Sequence, residues 1–245
     1  MVRCTASFVA LACVATISTT TVNAEPRAVI ELFTSQGCSS CPAADKLLGT
    51  LAQDSNLVAL TLAVDYWDYL GWKDTLAISG HTKRQRAYAK VRDDRAVYTP
   101  QAVVNGITHA LGSDRAAIER AIQHTRQVAS PLTLPVTLAV ADSKLTVNVA
   151  AGADQNASGE VWLCPITKSV PVVIGRGENH GRTVTYSNVV RRWIKLGDWQ
   201  GKLATYNIAL KDFQNGDVDL VAVVVQSGVV TAPKLMLGAA QAALR

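Results

Sequence analysis

Near residue 130 the chain changes from one apolar pattern to another, and this change constrains the fold more than any other feature. Up to Val128, strand-like and helix-like patterns alternate in the order β-α-β-α-β-β-α. From Ser130 onward, six or more short β-like runs are separated by Gly, Asn, Asp and Pro. We therefore predict an α/β domain over residues 25–129, followed by an all-β, antiparallel, sandwich-like domain over residues 130–245.

The same patterns predict individual elements. Helices are indicated over Cys41–Gln53, with Asp45 and Lys46 facing away from the core, over Ser79–Val91, and after a capping Ser113. Asn105-Gly106 between two β-like runs is the strongest short hairpin signal. Strands are predicted, in chain order, over Ala28–Thr34, Asn56–Val64, Gln101–Val104, Ile107–Leu111, Leu132–Val140, Lys144–Ala150, Glu160–Thr167, Arg182–Val190, Leu203–Leu210 and Val218–Gln226.

Residues 1–24 are predicted to be a signal peptide. Arg3 precedes a short apolar run, and Val22-Asn23-Ala24 fits the small-x-small cleavage rule. The run is shorter than the roughly 20 residues of a membrane-spanning helix, so no stable membrane anchor is expected. A lipoprotein site at Cys13 is the alternative. We expect the remaining chain in the periplasm of a Gram-negative bacterium, or secreted.

Composition and charge exclude two classes of protein. Apolar residues make up 49% of the chain, which is ordinary for a globular protein and argues against extended disorder. The net charge is +5, and no basic segment is interleaved with aromatic residues, so nucleic-acid binding is not expected. Beyond the predicted signal peptide only Cys38, Cys41 and Cys164 remain. Cys164 lies in a β-like run, where we expect a buried free thiol.

The chemistry is concentrated in Cys38-Ser39-Ser40-Cys41, between a predicted strand and a predicted helix. This placement puts Cys38 at a helix N-terminus, where the helix dipole stabilises a thiolate, and Cys41 in the first turn, within reach of a mixed disulfide. A structural zinc site usually needs four ligands, and the histidines show no pair spacing, so we predict neither a metal nor a cofactor. Cu(I) held by the two thiolates, or a disulfide that only braces the loop, are the alternatives.

A second feature is Tyr98-Thr99-Pro100, directly before the predicted hairpin. A cis bond at Pro100 would place the Thr99 main chain beside Cys38, where a bound peptide could pair with it as an added strand. An ordinary trans turn is the alternative.

Aromatic and charged segments supply weaker candidates. Trp67 and Trp72 belong to a run with four aromatic residues in seven positions, which could form a substrate platform or lid, or simply a packed loop. The basic segment Lys83–Arg86 is predicted to be a solvated helix face. The segment Arg176–His180 is predicted to be a surface turn.

Several sequence segments resemble a known family, and together they extend over nearly all of the chain after residue 24. They are Glu31–Pro42, Val64–Asp74, Arg84–Tyr88, Tyr98–Gln101, Arg176–Asn179 and Tyr186–Arg191. With the Cys-x-x-Cys and Thr-Pro motifs, these strings resemble a secreted bacterial family of the thioredoxin superfamily, catalogued as domain of unknown function 1223.

The resemblance implies a thioredoxin-like fold over residues 25–129, with Cys38 as the nucleophile, Cys41 as the resolving thiol and Pro100 as the cis-proline. Thioredoxin has a buried Asp six residues before its first Cys, whereas this chain has Leu32. Glu31 or Asp65 is left as the candidate proton acceptor. We therefore predict a periplasmic thiol–disulfide oxidoreductase that acts on protein or small-molecule thiols and disulfides.

Overall fold

The structure is a computed structural model that describes residues 25–244, so the predicted signal peptide lies outside the described residues. The helices of this part are α1 (Cys41–Leu51), α2 (Ser79–Arg92) and α3 (Arg115–Ala129), with short 3₁₀ turns at Asp68–Leu70 and Leu210–Asp212. The strands are β1 (Ala28–Thr34), β2 (Leu57–Ala63), β3 (Gln101–Val104), β4 (Thr108–Leu111), β5 (Val136–Ala141), β6 (Lys144–Val149), β7 (Gly159–Val173), β8 (Thr183–Val190), β9 (Ile194–Trp199), β10 (Ala204–Ala209), β11 (Leu220–Val229) and β12 (Ala232–Ala243).

Within residues 25–244, one large mixed sheet contains nine strands. Eight of them follow the order β12-β11-β7-β8-β2-β1-β3-β4, and β9 pairs with β7. β1 and β2 are parallel, and the antiparallel β3–β4 hairpin continues the sheet beyond β1. β8 joins from the second half through a parallel pairing of Val189 with Thr61. Strands from both sides of residue 130 thus share one sheet, and the division into two domains stays a prediction.

The strand β1 is buried along its whole length because helices cover both of its faces. Ile30 and Leu32 pack in a cluster with Leu48 of α1 and with residues of α3. Phe33 on the opposite face packs edge-on against Tyr88 of α2, with ring centroids 6.4 Å apart. The strand predicted over Ala28–Thr34 is thus confirmed, and it lies in the interior of the fold.

A second, three-stranded antiparallel sheet has the order β10-β6-β5. Its apolar side chains share one cluster with residues of β7 and β11, including Leu138, Val147, Leu163 and Val223. The second half therefore contributes both to the large mixed sheet and to a separate antiparallel sheet, in a mixed α/β architecture.

Two strands in the second half were not predicted. β9 contains Lys195, Gly197 and Asp198, which hide its alternation, and β12 is rich in Ala and Gly, residues with weak strand preference. A capping residue was also misplaced, since the side chain of Asp114, and not of Ser113, accepts a hydrogen bond from the backbone N–H of Ala117 at 2.9 Å.

The prediction of a solvated basic face on α2 is wrong for half of that segment. Lys83 and Arg86 are exposed, but Arg84 and Gln85 are buried. Arg84 Nε donates to Oε1 of the fully buried Glu31 on β1 at 2.6 Å. A guanidinium can be buried here because it meets a carboxylate, and the pattern of α2 alone does not reveal a partner on another element.

Candidate functional site

Cys38 and Cys41 are joined by a disulfide in the connection between β1 and α1. Their Cα atoms lie 5.4 Å apart. The first residue of α1 is Cys41, followed by Pro42, whose missing N–H costs little at a helix start. Cys38 therefore precedes the helix rather than opening it, and its carbonyl oxygen accepts a hydrogen bond from the backbone N–H of Cys41 at 3.1 Å.

The disulfide is buried although the two serines inside it are exposed. Cys38 is 1% exposed and Cys41 is 0% exposed. Ser40 does not cap the helix with its side chain; its Oγ lies 3.4 Å from Sγ of Cys38. The low exposure of Cys38 means that other segments of the fold pack around this loop.

One such segment holds the loop through Gln36. The backbone N–H of Gln36 donates to Oδ2 of Asp74 at 2.7 Å, and its side-chain oxygen accepts from the indole N–H of Trp72 at 2.8 Å. Burial raises the pKa of Asp74 above its usual value. Trp72, a predicted substrate-binding residue, therefore lies beside the residues that precede Cys38.

A second segment comes from the loop between β7 and β8, residues 174–182. The side-chain amide of Asn179 donates to the backbone oxygens of Gln36 and Cys38 at 2.9 and 2.8 Å. Oε2 of Glu178 accepts from the backbone N–H of Ser39 at 3.2 Å. The prediction of a surface turn over Arg176–His180 is wrong for Asn179, which is 1% exposed. We call residues 174–182 the cap hairpin.

The Thr99-Pro100 peptide bond is cis, one of the two geometries that the sequence left open. The hydroxyl of Thr99 accepts a hydrogen bond from the indole N–H of Trp67 at 2.8 Å. A Cβ built on Gly37 would lie 3.0 Å from Cβ of Trp67. Trp67, the other predicted substrate-binding tryptophan, thus touches both the cis-proline segment and the loop that leads into Cys38.

Asp45 carries a buried carboxyl group on α1, the helix that begins at Cys41. The prediction that Asp45 faces away from the core is wrong. Asp45 lies one turn after Cys41 and is 2% exposed, because α1 packs against β8 as well as against β1 and β2. Its Oδ1 accepts from the hydroxyl of Thr34 at 2.8 Å, while Oδ2 has no hydrogen-bond partner within the described residues. Burial, opposed by the Thr34 bond and aided by Asp74, raises the pKa of Asp45 to about 8.

The two acidic residues that the sequence offered as proton acceptors are engaged elsewhere. Glu31 accepts from Arg84 and from the hydroxyl of Tyr88 at 2.6 and 2.5 Å. Asp65 accepts from the hydroxyl of Thr82 at 2.5 Å. Both carboxylates are held by α2, whereas the buried Oδ2 of Asp45 has no hydrogen-bond partner in the part of the chain that the structure describes.

Other expectations concern the rest of the described chain. Cys164 is a free, buried cysteine, as predicted. No group of three or more His, Cys, Asp and Glu side chains in residues 25–244 is placed to hold a metal ion. None of the helices described is long and apolar enough to cross a membrane.

Comparisons with known proteins show which family the chain belongs to. The sequence model of the family described as "Protein of unknown function (DUF1223)" matches residues 29–226. The chain belongs to the DUF1223 family. A crystal structure of a protein from Agrobacterium tumefaciens is similar to it, with 30% sequence identity and a TM-score of 0.81 over 91% of this chain and 97% of that one. No curated protein matches.

Two residues near the disulfide were not predicted as site residues from the sequence, Asp45 and Asn179. Both lie within the segment that the DUF1223 model matches. For Asp45 a signal existed, because it lies four residues after Cys41 and next to Ala44 of the apolar face. For Asn179 the chain carried no local signal, because its partner Cys38 lies 141 positions away.

Proposed function

We propose that this DUF1223 protein is a periplasmic thiol–disulfide oxidoreductase that uses the Cys38–Cys41 pair. The observation that carries the proposal is a disulfide located between the end of a buried strand and the first residue of a helix. The β1-α1-β2 unit, the β3–β4 hairpin and α3 follow the order expected of a thioredoxin-like fold over residues 25–129. Within residues 130–244, the three-stranded sheet shares an apolar cluster with β7 and β11 of the large sheet, which supports the companion proposal of a sandwich-like region.

The proposed reaction is thiol–disulfide exchange at Cys38. A substrate thiolate attacks Sγ of Cys38, the S–S bond breaks, and its electron pair leaves with Cys41, which then takes up a proton. A second substrate thiolate attacks the mixed disulfide and releases the oxidised substrate and the Cys38 thiolate. The reverse sequence reduces a substrate disulfide, and in both directions two electrons are transferred without a cofactor.

Asp45 supplies the proton for Cys41 in this scheme. Residues four apart on a helix are neighbours, so Asp45 lies on the same side of α1 as Cys41, and its carboxyl group bonds to Thr34 at the end of β1. With a pKa of about 8, this carboxyl group is protonated at neutral pH. It also lines a groove of about 450 Å³ between α1 and β8, through which the proton can be replaced from solvent.

We assign the substrate contacts to the cis-proline segment and to the two tryptophans near the disulfide loop. Thr99 and the cis Pro100 border the loop through Trp67, which bonds to Thr99 and packs beside Gly37. In this role Trp67 and Trp72 provide apolar surface, and Thr99 provides main-chain groups for an extended substrate. The periplasm is the proposed location because a disulfide persists in an oxidising compartment.

Trapping with Cys41→Ser tests the proposal. This variant keeps the attacking thiol of Cys38 but cannot resolve a mixed disulfide. Covalent adducts should therefore accumulate in a periplasmic extract, and a reductant should cleave their disulfide bonds. Cys38→Ser is the matched control, because it removes the attacking thiol and should capture nothing.

A negative result has a defined form. If Cys41→Ser forms no adducts and the wild-type disulfide is not reversibly reduced by dithiothreitol, the oxidoreductase assignment fails. Tight Cu(I) binding by the reduced protein in the absence of any exchange reaction would favour the copper-handling alternative.

A further inference from the structure

The cap hairpin grips the disulfide loop more firmly than a connecting turn requires. Both amide hydrogens of Asn179 are used on loop carbonyl groups, and Glu178 accepts from the loop N–H of Ser39. The hairpin also packs on the Trp72 ring, since a Cβ built on Gly175 would lie 2.8 Å from that ring. These contacts join residues 174–182 to the site from a strand pair far along the chain.

The grip coincides with an unusual pattern of exposure. Ser39 and Ser40 are exposed, yet Cys38, whose carbonyl oxygen accepts a hydrogen bond from Asn179 of the hairpin, is covered to all but 1%. Exchange requires the incoming sulfur to contact Sγ of Cys38, so its rate depends on how that cover opens.

We propose that the cap hairpin selects the substrate of this site, admitting small-molecule thiols in preference to thiols on folded proteins. The inference rests on the proposed function and adds a substrate class to it. A small thiol reaches Cys38 through a local fluctuation that leaves most of the contacts in place. A cysteine on a folded protein brings flanking main chain with it, so the hairpin must release Asn179 and Glu178 together.

The selected step is the first one of the exchange. The small thiolate attacks Sγ of Cys38, the Cys38–Cys41 bond breaks, and Cys41 leaves with the electron pair and is protonated. A second small thiolate then completes the two-electron reduction and leaves as the symmetrical disulfide. Asn179 and Glu178 bond to the backbone of the loop and not to a reacting sulfur, so they are positioning residues.

The test measures two second-order rate constants for reduction of the oxidised protein. One reductant is 2-mercaptoethanol, and the other is a small folded protein with one engineered surface cysteine. Quenching by alkylation and mass analysis counts the reduced molecules. In Asn179→Ala, the rate with the protein thiol should rise about tenfold, because the two hydrogen bonds from Asn179 to the loop no longer hold the hairpin. The rate with 2-mercaptoethanol should rise less than about threefold.

Two further variants keep the result interpretable. Glu178→Gln changes an exposed side chain, and it should shift the protein-thiol rate in the same direction by a smaller factor. His180→Ala, on the exposed side of the same hairpin, should change neither rate. If circular dichroism shows that Asn179→Ala is unfolded, Glu178→Gln decides.

Equal factors for the two reductants, or no change in either, would overturn the selection while leaving the oxidoreductase intact. A wild-type disulfide that resists both thiols, together with the absence of adducts on Cys41→Ser, would overturn both proposals.

Discussion

The side-chain amide of Asn179 donates to the backbone oxygen of Cys38 at 2.8 Å. This bond crosses 141 positions of sequence and joins the cap hairpin to the loop that carries the disulfide. Because the second amide hydrogen goes to the backbone oxygen of Gln36, one buried side chain bonds to two carbonyl groups of the disulfide loop. The second half of the chain therefore completes the site rather than merely adjoining it.

The first prediction follows from those two carbonyl groups. In Asn179→Ala the Gln36 carbonyl loses its side-chain donor, and the Cys38 carbonyl keeps only the backbone N–H of Cys41, so the free energy of unfolding should fall by about 1–3 kcal/mol. Urea denaturation followed by circular dichroism measures the change. Asn156→Ala is the matched control, because Asn156 is exposed, and it should stay within about 0.5 kcal/mol of wild type. Equal stability of the two variants would contradict the role of Asn179.

Asp45 makes a second prediction, for stability against pH. Its pKa rises from the usual 3.8 to about 8 in the folded protein, so the native state binds more protons than the unfolded state between these values. The contribution is therefore fully present below about pH 4 and is lost as the pH rises through about 8. Thermal melting between pH 5 and pH 9 should show this decline, and Asp45→Asn should flatten it. A variant that keeps the full wild-type slope would assign the effect to Asp74 or another group.

The reduction rate supplies a third prediction. If protonated Asp45 gives its proton to the departing Cys41, the rate per reductant thiolate should be highest below pH 8 and fall above it. Asp45→Asn should lower the rate below pH 8 by about tenfold or more and remove the inflection. Stopped-flow reduction by 2-mercaptoethanol, corrected for the fraction of thiolate, measures both effects. Lys46→Gln, the exposed neighbour on α1, should keep the wild-type profile.

Local patterns predicted the elements around the disulfide well, and physical chemistry explains why. The strands Ala28–Thr34 and Leu57–Ala63 are buried along their whole length, so both runs are mostly apolar. Asn105 and Gly106 have the positive φ angles that their hairpin turn requires. The Cys38–Cys41 pair itself needed only its spacing and the helix that follows. These features depend on neighbours in sequence.

What the sequence did not reveal depends on partners far apart. Asp45 was assigned to solvent because it is a charged residue at the edge of the apolar face, and the strand β8 that buries it lies far along the chain. Arg84 was assigned to solvent because its partner Glu31 lies 53 positions earlier. In both cases a residue was predicted to be exposed because its side chain is charged. Its burial, however, depends on another element of the fold.

The fourth prediction concerns this Arg84–Glu31 pair. Glu31 is 0% exposed, and its two oxygens accept from Arg84 and Tyr88, so removing either charge leaves the other buried without compensation. Arg84→Met and Glu31→Gln should each lower the free energy of unfolding by about 3–5 kcal/mol, and the double variant should lose less than the sum. Denaturant titration of the three variants measures this coupling. Arg86→Met, exposed on the same helix, should change stability by less than about 0.5 kcal/mol.

The last prediction compares two glycines with opposite surroundings. A Cβ on Gly112 would lie 2.5 Å from Cδ1 of Leu32 and 3.1 Å from Cβ of Pro100, so Gly112→Ala must displace core atoms beside the cis-proline. Overpacking of this kind should cost about 1–3 kcal/mol of unfolding free energy. A Cβ on Gly80, near the start of α2, meets nothing within 4 Å, so Gly80→Ala should stabilise the protein by up to about 1 kcal/mol through helix propensity. Urea denaturation of both variants should therefore give changes of opposite sign, and a neutral Gly112→Ala would contradict the close packing at Pro100.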